Sequence, residues 1–142
     1  MKKLGKSSKK GFTLVELIVV IVILAVLAAM LVPALIGYVD RAKKEKDYQT
    51  ASTVYAAAQA AVTEQYAKGT IATKAAGKIE SSVAADKTLV LELAGVSDSK
   101  VKSFTFTYGA DLIITNGEVE IENGGTTATY VMDTDGKWGP KT

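Results

Sequence analysis

Residues 10–17 read KGFTLVEL, and three of them have the types and spacing for chemistry: Gly11, Phe12 and Glu16. Lys2, Lys3, Lys6, Lys9 and Lys10 precede Phe12 with no acid among them, and from Leu17 to Ile36 the chain runs LIVVIVILAVLAAMLVPALI without a charge. An ionised side chain at the centre of a membrane segment costs roughly 2.5–3.5 kcal/mol on insertion scales, and less toward the end, where Glu16 stands. One event makes sense of all these residues. If the bond between Gly11 and Phe12 is cut, the lysine-rich leader leaves and Phe12 gains a free α-amine. With a pKa of about 8, that amine is cationic and lies at the positive end of a helix dipole. Glu16, four residues on, can neutralise such an amine on its own chain or on a neighbouring copy. Between copies the pairing sets a register, because an isolated buried charge costs several kcal/mol.

Two simpler readings use fewer of these features. A cleaved secretory signal has a shorter apolar region followed by a small-residue cleavage site, whereas here Ala28, Ala29 and Met30 lie inside the apolar run. A plain membrane anchor accounts for the twenty uncharged residues, which span about 30 Å as a helix, but gives Glu16 no role. Five lysines before the span stand against Arg41, Lys43, Lys44 and Lys46 after it, which favours a cytoplasmic N-terminus with residues beyond 40 outside.

The stretch KKGFTLVEL resembles the class III signal of type IV prepilins. The resemblance implies that a prepilin peptidase cuts after Gly11 and methylates the amine of Phe12. It also implies that Glu16, fifth in the processed chain, is the assembly carboxylate. Pro33 stands where that family carries a proline, and the resemblance implies local loss of helix around it in a filament. It further implies an α+β, type IV pilin-like fold: a long N-terminal helix whose apolar first half projects and whose second half packs on a small antiparallel sheet. The matching residues cover only the start of the chain. Beyond residue 50 the likeness is one of architecture.

Composition narrows the classes. The chain has 142 residues, enough for one domain, with no cysteine and no histidine. Stability therefore rests on packing rather than disulfides. The side chain best suited to proton transfer near neutral pH, and the commonest metal ligand, is missing. No nucleophile–base set, phosphate loop or metal cluster stands out, so no enzyme activity and no cofactor is expected. Removing residues 1–11 leaves 12 basic against 15 acidic residues, about −3, so the pI of 8.7 does not argue for nucleic acid as the main partner.

Apolar periodicity continues beyond the span. Tyr48, Ala51, Tyr55, Ala58 and Val62 fall on one helical stripe, and Lys68-Gly69 makes a stop. This stripe is expected to pack on the chain's own sheet rather than stack ligands. Residues 12–67 as one helix would measure about 84 Å, too long for a 142-residue globule to cover, so the first half is expected to project. Pro33 removes a backbone donor and predicts a kink near 29–33, with Gly37 a second weak point. Lys43, Lys44 and Lys46 alternate with Asp40, Glu45 and Asp47, which reads as pairing along the helix.

Residues 69–86 read as a linking loop. Asp86 to Val96 reads as a short helix capped by Asp86, with Leu89, Val90 and Leu93 on its apolar face and Gly95 at its end. From SFTFTY onward the period becomes two, with Phe104, Phe106 and Tyr108 on one face. Asn116-Gly117 predicts a hairpin turn and Asn123-Gly124-Gly125 another return, for three or four antiparallel strands. Glu118, Glu120 and Glu122 read as a solvated strand face. Asp133 and Asp135 in DTDGKW are weak metal candidates that a tight turn explains as well.

These readings divide the chain into a removed leader, 1–11; an apolar membrane and filament-core helix, 12–37; its amphipathic continuation, 38–68; a connecting segment with a short helix, 69–100; and an antiparallel sheet, 101–142. The functional expectation is a structural subunit of a type IV pilus-like filament. It would be held in the bacterial cytoplasmic membrane until the assembly machinery polymerises it with other copies into a cell-surface filament. The alternatives are a pseudopilin of a type II secretion or DNA-uptake system, or, in a different class, a monomeric membrane-anchored binding module.

Overall fold

In a computed structural model the described residues are 11–142. The basic leader expected at 1–11 therefore lies, but for Gly11, outside them. The chain divides into two compact units, Met1–Ala42 and Lys43–Thr142, and each is taken by itself.

In the first unit, helix α1 begins at Leu14; its full extent is Leu14–Ala67, with Pro33 inside it. Leu, Ile, Val and Ala favour this stretch because nothing but the proline interrupts their backbone bonds. Pro33 cannot donate to the carbonyl of Ala29, yet the helix continues through it. From Leu14 to Val39 every side chain is exposed, and an 18-residue window reaches a mean hydropathy of 3.2 with none of it buried. A helix that is apolar on all sides and unburied is long and greasy enough to cross a bilayer.

In the second unit, residues 43–67 of α1 lie against a five-stranded antiparallel sheet. Its strands are β1 (Gly77–Glu80), β2 (Val101–Tyr108), β3 (Ile114–Asn123), β4 (Thr126–Met132) and β5 (Trp138–Pro140), paired in chain order. Helix α2 (Ala84–Ala94) stands between β1 and β2. Ala51, Val54, Ala58, Ala61 and Val62 of α1 share one buried core with Phe104, Phe106, Val119, Ile121, Tyr130 and Met132. The alanines allow the helix axis to come close to the strands, while the large side chains come from the sheet. Tyr48 meets Tyr130 edge-on at 5.2 Å between ring centroids, and Tyr55 meets Phe106 at 6.1 Å, so the expected stripe does face the chain's own sheet.

Four local expectations are revised. Asn116-Gly117 is not a turn: both residues lie within β3, paired with Thr107 and Phe106 of β2. Gly117 is required by packing, since a Cβ there would fall 2.0 Å from Cδ1 of Phe106, which is wholly buried. The chain reverses instead at Gly109–Ile113. Leu112 takes a φ of 64°, Leu112 N–H donates to Gly109 O, and Asp111 Oδ1 accepts from Ile113 N–H. The second expected return, at Asn123-Gly124-Gly125, is present, with both glycines at positive φ.

The segment expected to be a loop at 69–86 contains β1, a four-residue edge strand with Ile79 as its buried anchor. One apolar residue shows no period of two. Helix α2 starts at Ala84 and ends at Gly95 in the left-handed region, as expected, but Asp86 is not its cap. Asp86 is buried in the first turn and accepts from Gln65 Nε2 at 2.7 Å and Glu80 N–H at 3.3 Å. Leu93 is exposed, and Leu91 takes its expected place beside Val90.

Replacing Gly117 by alanine forces Phe106 to move within a full core. The expected loss is about 1–3 kcal/mol, read as a lower denaturation midpoint, and Phe106→Leu in the same chain should recover part of it. A Gly117→Ala chain as stable as the parent would mean that the ring does not occupy this space.

Candidate functional site

Gly11, Phe12 and Thr13 precede the first helical turn and lie in no helix or strand, and Phe12 is 82% exposed. The Gly11–Phe12 bond therefore lies outside regular secondary structure, beside an exposed side chain. A Cβ on Gly11 would meet nothing within 4 Å, so its own chain does not require glycine there.

Three residues later the helix start is closed by a reciprocal pair. Thr13 N–H donates to Glu16 Oε2 at 2.9 Å, and Glu16 N–H donates to Thr13 Oγ1 at 3.2 Å. This is the Thr-x-x-Glu capping box, in which two backbone donors of the first turn find side-chain acceptors. The carboxylate thus hangs over the backbone one residue from the Gly11–Phe12 junction and sits at the positive end of the helix dipole. The Thr13–Glu16 spacing of this cap is legible in the sequence.

The second unit carries a polar cluster that periodicity did not single out. Asp47, expected to pair along the helix with neighbouring lysines, is instead 2% exposed. Its Oδ2 accepts from Tyr130 Oη at 2.8 Å and from Asn123 Nδ2, and its Oδ1 stands 3.5 Å from Lys100 Nζ. Lys100 Nζ donates further to Asn123 Oδ1 at 2.7 Å and to the Glu122 carbonyl at 2.8 Å. One carboxylate therefore ties α1 to the ends of β2 and β3 and to β4. Burial raises the Tyr130 phenol well above its usual value of 10.0, and the Asp47 carboxylate that accepts its proton pushes the same way. Elsewhere Gln59 acts as a peptide group would: its Nε2 donates to Leu112 O at 2.7 Å and its Oε1 accepts from Ile114 N–H at 2.8 Å.

Of the metal candidates, the Asp133 carboxylate is occupied by backbone. Asp133 Oδ1 accepts from Asp135 N–H and Lys137 N–H while Gly136 takes a φ of 79°, which is a closed turn. Among the described residues no group of three metal-ligating side chains comes together. Glu118, Glu120 and Glu122 are spent on Lys141, Ser103 and Gly125 N–H respectively.

The first unit carries the one stretch that resembles a known family model. Residues 6–32 match the prokaryotic N-terminal methylation motif, and the match takes in Gly11, Phe12, Glu16 and most of the apolar run. No curated protein and no solved structure matches the chain. The α+β order of a long N-terminal helix followed by an antiparallel sheet agrees with what the motif implies.

Because Tyr130 stays protonated in the folded state to higher pH than in the unfolded chain, its contribution is complete below about pH 10. It is lost as pH rises from there through the folded value. Tyr130→Phe should cost about 1–3 kcal/mol at pH 7 and flatten the fall in stability above pH 10, measured by denaturant titration at pH 7 to 11. An unchanged alkaline slope would rule out the Tyr130 phenol as its source.

Proposed function

We propose that the chain is the precursor of a subunit of a type IV pilus-like filament, cut after Gly11, methylated on the Phe12 amine and polymerised through its apolar helix. The observation that carries this reading is the position of Glu16. Within a matched methylation motif, the one acid at the head of an unburied apolar helix stands beside the junction where a new amine would form.

Before assembly, the apolar helix is satisfied by lipid in the cytoplasmic membrane. After assembly it is satisfied by the helices of other copies, so transfer between the two carries little hydrophobic penalty. The Phe12 amine of an incoming copy, cationic near neutral pH, gives Glu16 a counter-charge that its own capped backbone does not. A head-to-tail contact of this kind, repeated with a rotation that does not close, builds a helical filament. The prepilin peptidase and the assembly machinery act on this chain, and neither processing nor polymerisation calls on a reaction of its own side chains. A surface pilus is the first reading within the class, and a secretion or DNA-uptake pseudopilus is the second.

Intact mass of membrane-extracted protein should show loss of residues 1–11 and gain of one methyl group. Met1 still joined to the apolar helix would end the proposal. Two substitutions separate the charge of Glu16 from its cap. Glu16→Gln keeps an acceptor for Thr13 N–H, whereas Glu16→Ala does not. Processing should persist in both, and filaments in sheared surface fractions should be lost in both. Filaments from Glu16→Gln at the parent's level would show that the acid only closes the helix.

A further inference from the structure

Lys100, Asn123 and Asp47 stand in an arrangement that goes beyond holding the sheet to the helix. The Lys100 amine lies 2.7 Å from the side-chain carbonyl oxygen of Asn123. The Asn123 amide nitrogen faces Asp47 Oδ2, and the other oxygen of the same carboxylate lies 3.5 Å from the amine. Only one orientation of the amide satisfies both neighbours, because an ammonium can only donate and a carboxylate can only accept. A nucleophile, an electrophilic carbonyl and a leaving nitrogen are thus assembled around one buried proton carrier. We propose that Lys100 and Asn123 join in an intramolecular isopeptide bond, with Asp47 as the catalytic residue.

The chemistry balances without any further reactant. Asp47 takes a proton from the Lys100 ammonium, and the freed lone pair attacks Cγ of Asn123. That carbon is one carbonyl bond (about 1.23 Å) beyond the oxygen the amine already touches. Nδ2 takes the proton back from Asp47, and Asp47 removes a second proton from the attacking nitrogen. The carbonyl re-forms as the Cγ–Nδ2 bond breaks. The departing ammonia carries off the second proton as ammonium. One C–N bond forms, one breaks, and nothing is oxidised or reduced.

The surroundings suit the reaction. Asp47 is 2% exposed and is fixed by the Tyr130 hydroxyl, so its oxygens keep their aim. Lys100 is held at its root by the β2–β3 pairing, in which Glu122 N–H donates to Lys100 O at 2.8 Å, and its Nζ is steadied by the Glu122 carbonyl. Holding reacting groups in this way replaces a bimolecular encounter with a unimolecular step. The site opens on a pocket of about 350 Å³ lined by Lys43, Lys46 and Gly124, through which ammonia can leave. Asn123 and Gly124 begin the β3–β4 turn, so the bond would fasten the start of β2 to the end of β3 in a chain that has no cysteine.

The proposal does not depend on polymerisation. The test is peptide mass mapping of the full chain purified from cells, which locates the bond separately from any change at residues 1–12. The parent should give a branched peptide joining Lys100 to Asn123, lighter than its two parts by one ammonia, with no tryptic cleavage after Lys100. Asp47→Asn and Lys100→Arg should both abolish it. Lys100→Arg, which keeps the positive charge, should migrate more slowly than the parent in denaturing electrophoresis. A parent chain with a free Lys100 and an intact or deamidated Asn123 overturns the proposal. A branched peptide that persists in Asp47→Asn overturns the role of the carboxylate.

Discussion

Twenty uncharged residues on one helix, none of them buried by the chain itself, set the terms for everything else. Water cannot solvate such a surface without a large free-energy cost, so the helix requires an apolar medium. Lipid and other copies of the same helix both provide one, and van der Waals packing is available in either. A segment that two environments satisfy almost equally can pass from one to the other. The directional choice is then left to the few polar groups at its ends, and at its head the described polar side chains are Thr13 and Glu16.

The same helix makes the opposite demand further along. From Asp47 onward its small residues let a sheet come close, and close approach buries polar groups that must find partners. They do so in three places: Asp47 with Tyr130, Asn123 and Lys100; Gln59 with the Leu112–Ile114 backbone; and Gln65 with Asp86. Among the described residues no buried side-chain polar atom lacks a partner. Hydrophobic burial supplies most of the stability of this unit, but it is indifferent to register along an alanine-rich surface. The polar pairs are not indifferent: each is satisfied at one position only, and so they fix where the helix lies on the strands.

How much could be read in advance follows from how local each cause is. The helix, its stop at Lys68-Gly69, the Phe104-Phe106-Tyr108 face and the Asn123-Gly124-Gly125 return all follow from neighbours in the chain, and each stands as expected. Asn116-Gly117 misleads because the same glycine serves a tertiary purpose, leaving room for a ring from the adjacent strand. β1 is invisible because a short edge strand needs only one buried side chain and a partner already in place. Asp47 is the instructive case. The mixed-charge run DRAKKEKD at 40–47 looks like a solvated face, and only the fold reveals that its last residue is buried against residues more than fifty positions away.

The capping of Glu16 bears on why an acid at that position need not conflict with a membrane. A free carboxylate at the edge of the apolar span would have to be hydrated or protonated, but a capping box gives it a backbone donor and the helix dipole at once. The cap does not exhaust it, because a carboxylate has about four lone-pair sites and the Thr13 bond uses one. What remains is acceptor capacity, held in one orientation. In the proposed assembly, an arriving amine would meet a site whose geometry is already set by the helix it belongs to, so little ordering would be lost on pairing. On the proposed function, capping and assembly would be successive uses of one side chain.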